Sequence, residues 1–263
     1  MANSLTTPES IRTFQRKLYA KAKSEPEFRF YSLYDKVHRR DILEFAYRLC
    51  RANGGTGGVD GMTFERIEAA GLEEWLVNLQ EELRSGTYKP QPVRRVMIPK
   101  PGGGERPLGI PTIRDRVAQT AAKIVLEPVF EADFEESAYG YRPGRSAADA
   151  IKAVHRKLIE GHTEVVDADI SAYFDTIPHS ELLKCVARRV SDSAMLKLVK
   201  LWLKTPVEER DGEGKTRLTG GQGNGRGTPQ GGVLSPLLAN IYIRSLLFYF
   251  RMSGEAERFQ ARI

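Results

Sequence analysis

Apolar and polar residues alternate with the period of an α-helix through much of the first fifty positions. Residues 7–9 are typical of a helix start, with a capping hydroxyl on Thr7 and a proline in the first turn. The inward stripe of this helix consists of Ile11, Phe14, Leu18 and Ala22. A second stripe predicts a helix over residues 41–51, with Ile42, Phe45 and Leu49 facing inward.

Glycine residues divide the segment that follows. The glycine-rich residues 53–61 permit either a close approach of the backbone to a ligand or a flexible connection. A helix is predicted from about residue 64 to residue 84, with a break near Gly71 and a terminus at Gly86.

Two strand-like segments, 94–100 and 106–111, flank a glycine turn and predict a β-hairpin. A helical pattern rich in Ala and Val on one side then runs from residue 113 to about residue 134. After the next loop, Ser146 is predicted to cap a helix that reaches residue 160.

Residues 165–175 combine a short β-branched run with three aspartates, and the run predicts a buried strand. Because side chains alternate along a strand, Asp167 and Asp169 share one face. A buried strand ends in acidic side chains only where something cationic compensates them, and such a carboxylate presents a hard oxygen ligand to Mg²⁺. The alternative is a strand end whose aspartates are solvated or act as caps.

The last third of the chain predicts helices over 178–190 and 193–204 and a second hairpin around residues 211–214. A glycine pair at 231–232 lets the backbone lie against a flat ligand such as a nucleobase. Ser235 and the proline after it then start a helix that runs to about residue 252.

The composition narrows the class of protein. The chain has 263 residues and a net charge of +6, with a pI of about 9.3, so a polyanionic partner is plausible. Two cysteines are too few for a disulfide framework, and they form no zinc-binding pattern with the four histidines. The N-terminus lacks a signal-like apolar core, and no apolar run is long enough to cross a bilayer. We therefore expect a soluble, cytoplasmic protein.

Three groups of basic residues are candidates for binding phosphates. Lys100 and Arg106 flank the turn of the first hairpin, where they suit a triphosphate or are simply solvated. Arginines and aromatic residues alternate over 139–146, which suits a nucleic acid strand, although the segment also serves as a turn with a helix cap. Arg12 and Arg16 belong either to a helix that follows a phosphate backbone or to a solvated basic face.

Four motifs together resemble those of bacterial group II intron-encoded reverse transcriptases, the maturase-type RNA-directed DNA polymerases. In chain order they are Lys100-Pro-Gly-Gly-Gly-Glu-Arg106-Pro, Tyr139-Gly-Tyr-Arg142-Pro-Gly-Arg-Ser, Asp169-Ile-Ser-Ala-Tyr-Phe174-Asp175 and Pro229-Gln-Gly-Gly-Val-Leu-Ser-Pro-Leu-Leu-Ala-Asn240. Each motif is moderately specific, and the four in this order and spacing are highly specific. The resemblance spans nearly the whole chain.

The resemblance implies an α+β fold, with helix-rich fingers that carry a β-hairpin and part of an antiparallel palm. It divides the chain into an N-terminal extension with the first fingers motifs (1–62), fingers (63–160) and a partial palm (161–263). The partners would be an RNA template, intron RNA, a DNA primer and deoxynucleoside triphosphates, with no membrane.

The resemblance also implies a role for individual residues. Asp169 would bind both Mg²⁺ ions of a two-metal site, helped by the carbonyl of Ile170. Phe174 would reject a ribose 2′-hydroxyl, and Gln230 would lie beside the incoming nucleotide. The resemblance also assigns Lys100 and Arg106 to the triphosphate and Arg142 to the template path. From the residues themselves we interpret Asp175 as a structural residue of the turn before residue 178. The same reasoning makes Arg145, Arg12 and Arg16 candidates for binding RNA.

One departure from the family pattern matters. The family's Tyr-Ala-Asp-Asp hairpin, which supplies further metal-binding carboxylates, does not occur in this sequence. Because one aspartate without further carboxylates does not hold two divalent cations tightly, we expect the chain alone to be inactive or nearly so. The alternatives are an RNA-binding, maturase-like module and a dimer formed through an exposed sheet edge.

Overall fold

The computed structural model of the chain describes residues 5–100, 102–210, 215–221, 223–228 and 231–253. These residues form helices and one small sheet. The helices are α1 (Glu9–Ser24), α2 (Tyr34–Val37), α3 (Arg40–Asn53), α4 (Phe64–Ser85), α5 (Ile113–Glu131), α6 (Ala147–Ile159), α7 (Tyr173–Thr176), α8 (His179–Ala187), α9 (Ser193–Leu203) and α10 (Ser235–Met252). The strands are β1 (Val93–Pro99), β2 (Glu105–Ile110), β3 (Pro206–Arg210) and β4 (Thr216–Gly220).

The N-terminal helices bury the stripes that the sequence predicts. In α1, Ile11 and Ala22 are buried and the two apolar residues between them pack against the core. The predicted cap is wrong, because Pro8 occupies the N-cap position and no side chain caps the helix. Thr7 contributes its carbonyl oxygen, which accepts a hydrogen bond from Arg12 Nη2 at 3.0 Å.

Helix α4 breaks and ends where its glycines predict. Gly71 has φ of 111° and ψ of 88° inside the helix, and Gly86 closes it in the left-handed conformation with φ of 72°. Glycine has no Cβ to clash in either conformation, so both positions turn the chain at little steric cost.

Helix α5 is the centre of the molecule. The sequence predicts one apolar side, but nearly every residue of α5 from Ile113 to Phe130 is buried. Helices α1, α2, α3 and α10 all pack against it. Within this range only Arg114, Arg116, Lys123 and Glu127 are half-buried. Because so little of α5 meets solvent, its position fixes the elements around it.

A buried polar network anchors the N-terminus of α5. Thr112 caps the helix, and the Asp115 carboxylate accepts hydrogen bonds from Tyr88 Oη at 2.6 Å, Thr112 Oγ1 at 2.8 Å and the Gln91 amide at 3.0 Å. Trp202 Nε1 of α9 donates to Tyr88 Oη at 3.1 Å. Burial raises the pKa of the Asp115 carboxyl, and these hydrogen bonds partly offset that effect.

The glycine-rich loop before α4 also packs on this end of α5. A Cβ on Gly58 would lie 2.7 Å from Thr112 Cα, so only glycine allows the contact. Arg116 holds the loop by donating to the carbonyl oxygens of Gly54 and Thr56. The glycine-rich loop therefore makes a close approach to the protein's own backbone, at Thr112.

Both predicted hairpins form, and they join into one four-stranded sheet in the order β2-β1-β3-β4. The two hairpins are antiparallel, with Val96 opposite Leu108 in the first. A parallel pairing of Val93 with Val207 connects β1 to β3. The sheet is therefore mixed, and the expected helix-rich α+β class is confirmed.

The prediction of a buried strand within residues 165–175 is wrong. Residues 163–170 have no regular secondary structure, and Val165 and Val166 are 69% and 93% exposed. A strand needs a neighbour to satisfy its backbone groups, and no described strand pairs with this segment. Ala172 then adopts a left-handed conformation, with φ of 49°, before the single turn of α7.

Among the described helices, none combines the length and the apolar content that a bilayer span requires.

We expect Asp115→Ala to lower the free energy of unfolding by about 3 kcal/mol, because it leaves the buried hydroxyls of Tyr88 and Thr112 and the part-buried Gln91 amide without an acceptor. Urea denaturation measures the change.

Asp149→Ala is the matched control. Asp149 occupies the same position after the Ser146 cap of α6, but in an exposed capping box. The loss of unfolding free energy in Asp149→Ala should be clearly smaller than that in Asp115→Ala. Equal losses in the two variants would mean that the buried network adds nothing beyond an ordinary helix cap.

Candidate active site

The first hairpin presents two cations on one face. Arg106 pairs with Ile98 in the ladder, and the Lys100 amide donates to the Gly104 carbonyl at 2.9 Å. Because side chains alternate along each strand, Lys100 and Arg106 point to the same side of the hairpin. Both are exposed, and neither side chain makes a hydrogen bond or an ion pair within the described part of the chain.

The loop before α10 packs directly against this hairpin. Gly231 has φ of +98°, and an added Cβ there would lie 2.0 Å from the Gly109 carbonyl oxygen and 3.0 Å from Leu108 Cδ1. Three residues later, the Leu234 amide donates to Gln119 Oε1 of α5 at 3.4 Å. Gln230, the predicted nucleotide contact, lies outside the described residues.

The start of the same loop is bound to the Phe174 segment. The Thr228 amide donates to the Phe174 carbonyl at 2.7 Å, and the Gly227 amide donates to the Ile177 carbonyl at 2.8 Å. His179 secures this pairing, since its amide donates to the Gly225 carbonyl at 2.9 Å and its Nε2 donates to the Gly227 carbonyl at 2.6 Å. The structure therefore brings the Lys100–Arg106 hairpin, the loop before α10 and Phe174 into one neighbourhood.

Phe174 lies in a small aromatic cluster. Its ring centroid is 5.9 Å from that of Tyr173 and 6.4 Å from that of Tyr141, and the Tyr141 ring is perpendicular to it. Tyr173 ties the cluster to α10 by donating from Oη to the Ala239 carbonyl at 2.8 Å. Burial raises the pKa of Tyr173, so its hydroxyl remains a neutral donor.

Arg142 has a different position from the one that the sequence suggests. The residue is only 8% exposed, and its guanidinium donates to the Glu131 carboxylate and to the carbonyl oxygens of Glu135 and Ala138. A buried arginine whose three nitrogens all donate within the protein is an anchor for its loop. We therefore do not include Arg142 in a template path.

The other predicted RNA-binding arginines remain nearer the surface. Arg16 is largely exposed, with Glu9 3.7 Å away, and Arg12 lies 3.3 Å from the same carboxylate. Arg145 is half-buried and places its guanidinium 5.3 Å from the Tyr139 ring. The Glu9 carboxylate partly neutralises Arg12 and Arg16, which weakens the attraction of that face of α1 for RNA phosphates.

Asp169, the predicted metal ligand, and its neighbour Asp167 are both exposed. Within the described residues, Asp167 and Asp169 make no hydrogen bond or ion pair, and Ile170 is 42% exposed. No group of three or more His, Cys, Asp or Glu side chains in the described stretches is arranged to hold a metal ion. Since Mg²⁺ requires more than one anionic anchor, these residues do not fit a two-metal site by themselves.

Sequence reasoning missed Gln119 and His179, which hold the loop before α10. The only local signal for His179 is its place after Pro178 at a helix start. The long-range contact of Gln119 leaves no local pattern in the sequence. The aromatic pattern over 139–146 includes Tyr141 but does not reveal its contact with Phe174.

Comparison with known proteins agrees with the motifs. A family model described as reverse transcriptase (RNA-dependent DNA polymerase) matches residues 98–254. Protein YkfC of Escherichia coli strain K12 is 40% identical over 257 residues, which cover 94% of this chain and 65% of the relative. The group II intron-encoded protein LtrA of Lactococcus lactis is 38% identical over 220 residues, which cover 82% of this chain and 35% of LtrA. The chain thus spans less than two thirds of the length of either relative.

A solved structure has the same fold. A chain of a partial Cas6-RT-Cas1–Cas2 complex superposes on 86% of this chain with a TM-score of 0.52 and 23% sequence identity, and 35% of that chain is covered. At this identity the match supports the fold alone.

We expect Gly231→Ala to lower the free energy of unfolding by about 2 kcal/mol or to move the loop away from β2, because the Cβ would overlap the Gly109 carbonyl. Urea denaturation gives the first effect, and faster amide hydrogen exchange in β2 gives the second.

Gly223→Ala is the control in the same region, since an added Cβ at Gly223 meets no described atom within 4 Å. If Gly231→Ala leaves both the stability and the exchange of β2 unchanged, the packing of the loop against the hairpin is incorrect.

Proposed function

Because this chain belongs to the reverse transcriptase (RNA-dependent DNA polymerase) family, we propose that it binds the incoming deoxynucleoside triphosphate of an RNA-directed DNA polymerase beside an RNA template. Its relatives include group II intron-encoded proteins, and it is a reverse transcriptase domain of that type. The observation that carries the proposal is the pair of exposed cations on one hairpin face, with the Gly231 loop packed against Leu108 and Gly109 of the same hairpin.

The triphosphate is the ligand that suits Lys100 and Arg106. The lysine offers a mobile point charge, and the arginine offers a planar fork that matches phosphate oxygens. Both are exposed, so both are available to a ligand. In our proposal they neutralise the β- and γ-phosphates and align the α-phosphorus for in-line attack by the primer 3′-hydroxyl.

Phe174 is our candidate for sugar selection. Its carbonyl is fixed by Thr228 and its ring is flanked by Tyr141 and Tyr173, so the ring cannot easily turn aside. A rigid ring beside the sugar would exclude a 2′-hydroxyl by overlap. We also propose that Gln230 contacts the nucleotide, since it immediately precedes the glycine that packs against β2.

Asp169 is our candidate for one metal ligand, with the Ile170 carbonyl beside it. Mg²⁺ in such polymerases activates the primer hydroxyl and stabilises the leaving pyrophosphate. Because the described carboxylates do not fit a complete site, we derive no metal-dependent step for this chain. We propose that DNA synthesis by the chain on its own is absent or very slow.

RNA binding is the remaining part of the proposal. The net charge of +6 favours a polyanion, and Arg145, Arg12 and Arg16 are our candidates for phosphate contacts. Template RNA, intron RNA and a DNA primer are the proposed nucleic acid partners.

We also retain as a proposal the division of the chain into an N-terminal extension with the first fingers motifs (1–62), fingers (63–160) and a partial palm (161–263).

The second candidate function is an RNA-binding module of the maturase type that does not synthesise DNA. Within the described residues, Asp167 and Asp169 are exposed and belong to no group of three or more potential metal ligands, which favours this function. Such a module would bind RNA without selecting a deoxynucleoside triphosphate. Nucleotide binding therefore separates the two candidates more clearly than RNA binding does.

We expect Lys100→Ala and Arg106→Ala each to weaken binding of a fluorescent deoxynucleoside triphosphate by about tenfold, because each removes a charge-assisted contact. The measurement is an equilibrium titration with the chain bound to an RNA template–DNA primer duplex in Mg²⁺.

Arg217→Ala is the matched control. Arg217 is an exposed arginine of β4 whose pairing with Glu209 places it on the opposite face of the sheet. If Arg217→Ala weakens nucleotide binding as much as Arg106→Ala, the effect is general electrostatics and the proposed grip is wrong. If the wild-type chain binds the duplex but no nucleotide, the RNA-binding module is the better description.

A further inference from the structure

Tyr141 has an unusual backbone for an exposed aromatic residue. Its φ is 57°, and Ala172 is the only other described non-glycine residue with positive φ. L-residues avoid this region because Cβ approaches the carbonyl oxygen. Such conformations persist where the surrounding structure imposes them, and they are concentrated at functional sites.

The neighbours on both sides of Tyr141 are fixed. Asn240 Nδ2 of α10 donates to the Gly140 carbonyl at 2.7 Å. On the other side, the buried Arg142 side chain is held by Glu131 and by two carbonyl oxygens. With both neighbours anchored, the backbone directs the Tyr141 side chain outward, and the residue is 68% exposed.

The exposed ring lies beside the proposed nucleotide site. Its centroid is 6.4 Å from that of Phe174, and the two rings are perpendicular. Phe174 is the candidate for sugar selection, and its carbonyl accepts from the Thr228 amide of the loop that leads to Gln230. A base in a strand that enters this site would pass within reach of the Tyr141 ring.

We propose that Tyr141 is a stacking platform for a nucleobase of the nucleic acid strand bound at this site. The proposal deepens the function proposed above and rests on it. Within residues 139–146, the proposal has the exposed Tyr141 ring contact the nucleic acid strand in place of the buried Arg142. Stacking tolerates any base because every base has a π-face, which suits an enzyme that must copy any template.

The test measures binding of a single-stranded RNA that contains 2-aminopurine, whose fluorescence falls when it stacks on an aromatic ring. Tyr141→Ala should weaken binding by about tenfold and reduce the quenching. The slope of log affinity against log salt should not change, because no phosphate contact is removed.

Three further variants separate stacking from other effects. Tyr141→Phe keeps the ring and should bind as the wild type does. Tyr141→Leu keeps apolar bulk against Phe174 but has no π-face, so it should bind as weakly as Tyr141→Ala. Tyr31→Ala removes another highly exposed tyrosine, at 74%, and should have no effect. The same titration with a DNA strand of the same sequence shows whether Tyr141 stacks on bases of both DNA and RNA or of RNA alone.

Wild-type affinity and quenching in Tyr141→Ala, or in Tyr141→Leu, would overturn the stacking proposal and leave the proposed function intact. If the wild-type chain binds neither strand, the proposed function itself fails in its nucleic acid part. Circular dichroism and urea denaturation of each variant confirm that losses of affinity do not come from unfolding.

Discussion

The near-complete burial of α5 sets the positions of the elements packed around it. A helix with so little exposed surface can shift only if several neighbouring helices shift with it. At its N-terminus, the Thr112 cap and the carboxylate of Asp115 fix the point where the chain leaves β2 and enters α5. Its C-terminus carries the loop of Tyr141, through the ion pair of Glu131 with Arg142. The two ends of one helix thus fix two sides of the candidate site.

The contacts of one loop complete the site around this helix. The loop before α10 meets β2 at Gly231, meets α5 at Gln119 and meets the Phe174 segment at Thr228. Each contact joins segments far apart in the chain, and each is backbone to backbone or uses a buried amide. This arrangement leaves exposed side chains available to a ligand. Lys100 makes no hydrogen bond or ion pair within the described residues, and Tyr141 is 68% exposed although its ring contacts Phe174.

The sequence predicts those features that depend on local physics. The Ser146 cap, the break at Gly71, the left-handed end at Gly86 and the two hairpins follow from capping chemistry, glycine conformation and strand alternation. The prediction fails where the structure of a segment depends on contacts with residues far away in the chain. Residues 165–166 have a strand-like composition, but no described strand pairs with them. Likewise, the motif around Arg142 does not reveal that Glu131 buries this arginine.

We infer that the site is assembled on α5 before any nucleic acid or nucleotide binds. Site-resolved amide hydrogen exchange on the free chain is the measurement that checks this claim. We expect the Gly227 and Thr228 amides, which donate to Ile177 and Phe174, to open with free energies close to those of the slowest amides in α5. Exchange of these two amides at nearly unprotected rates, while α5 stays protected, would contradict the claim.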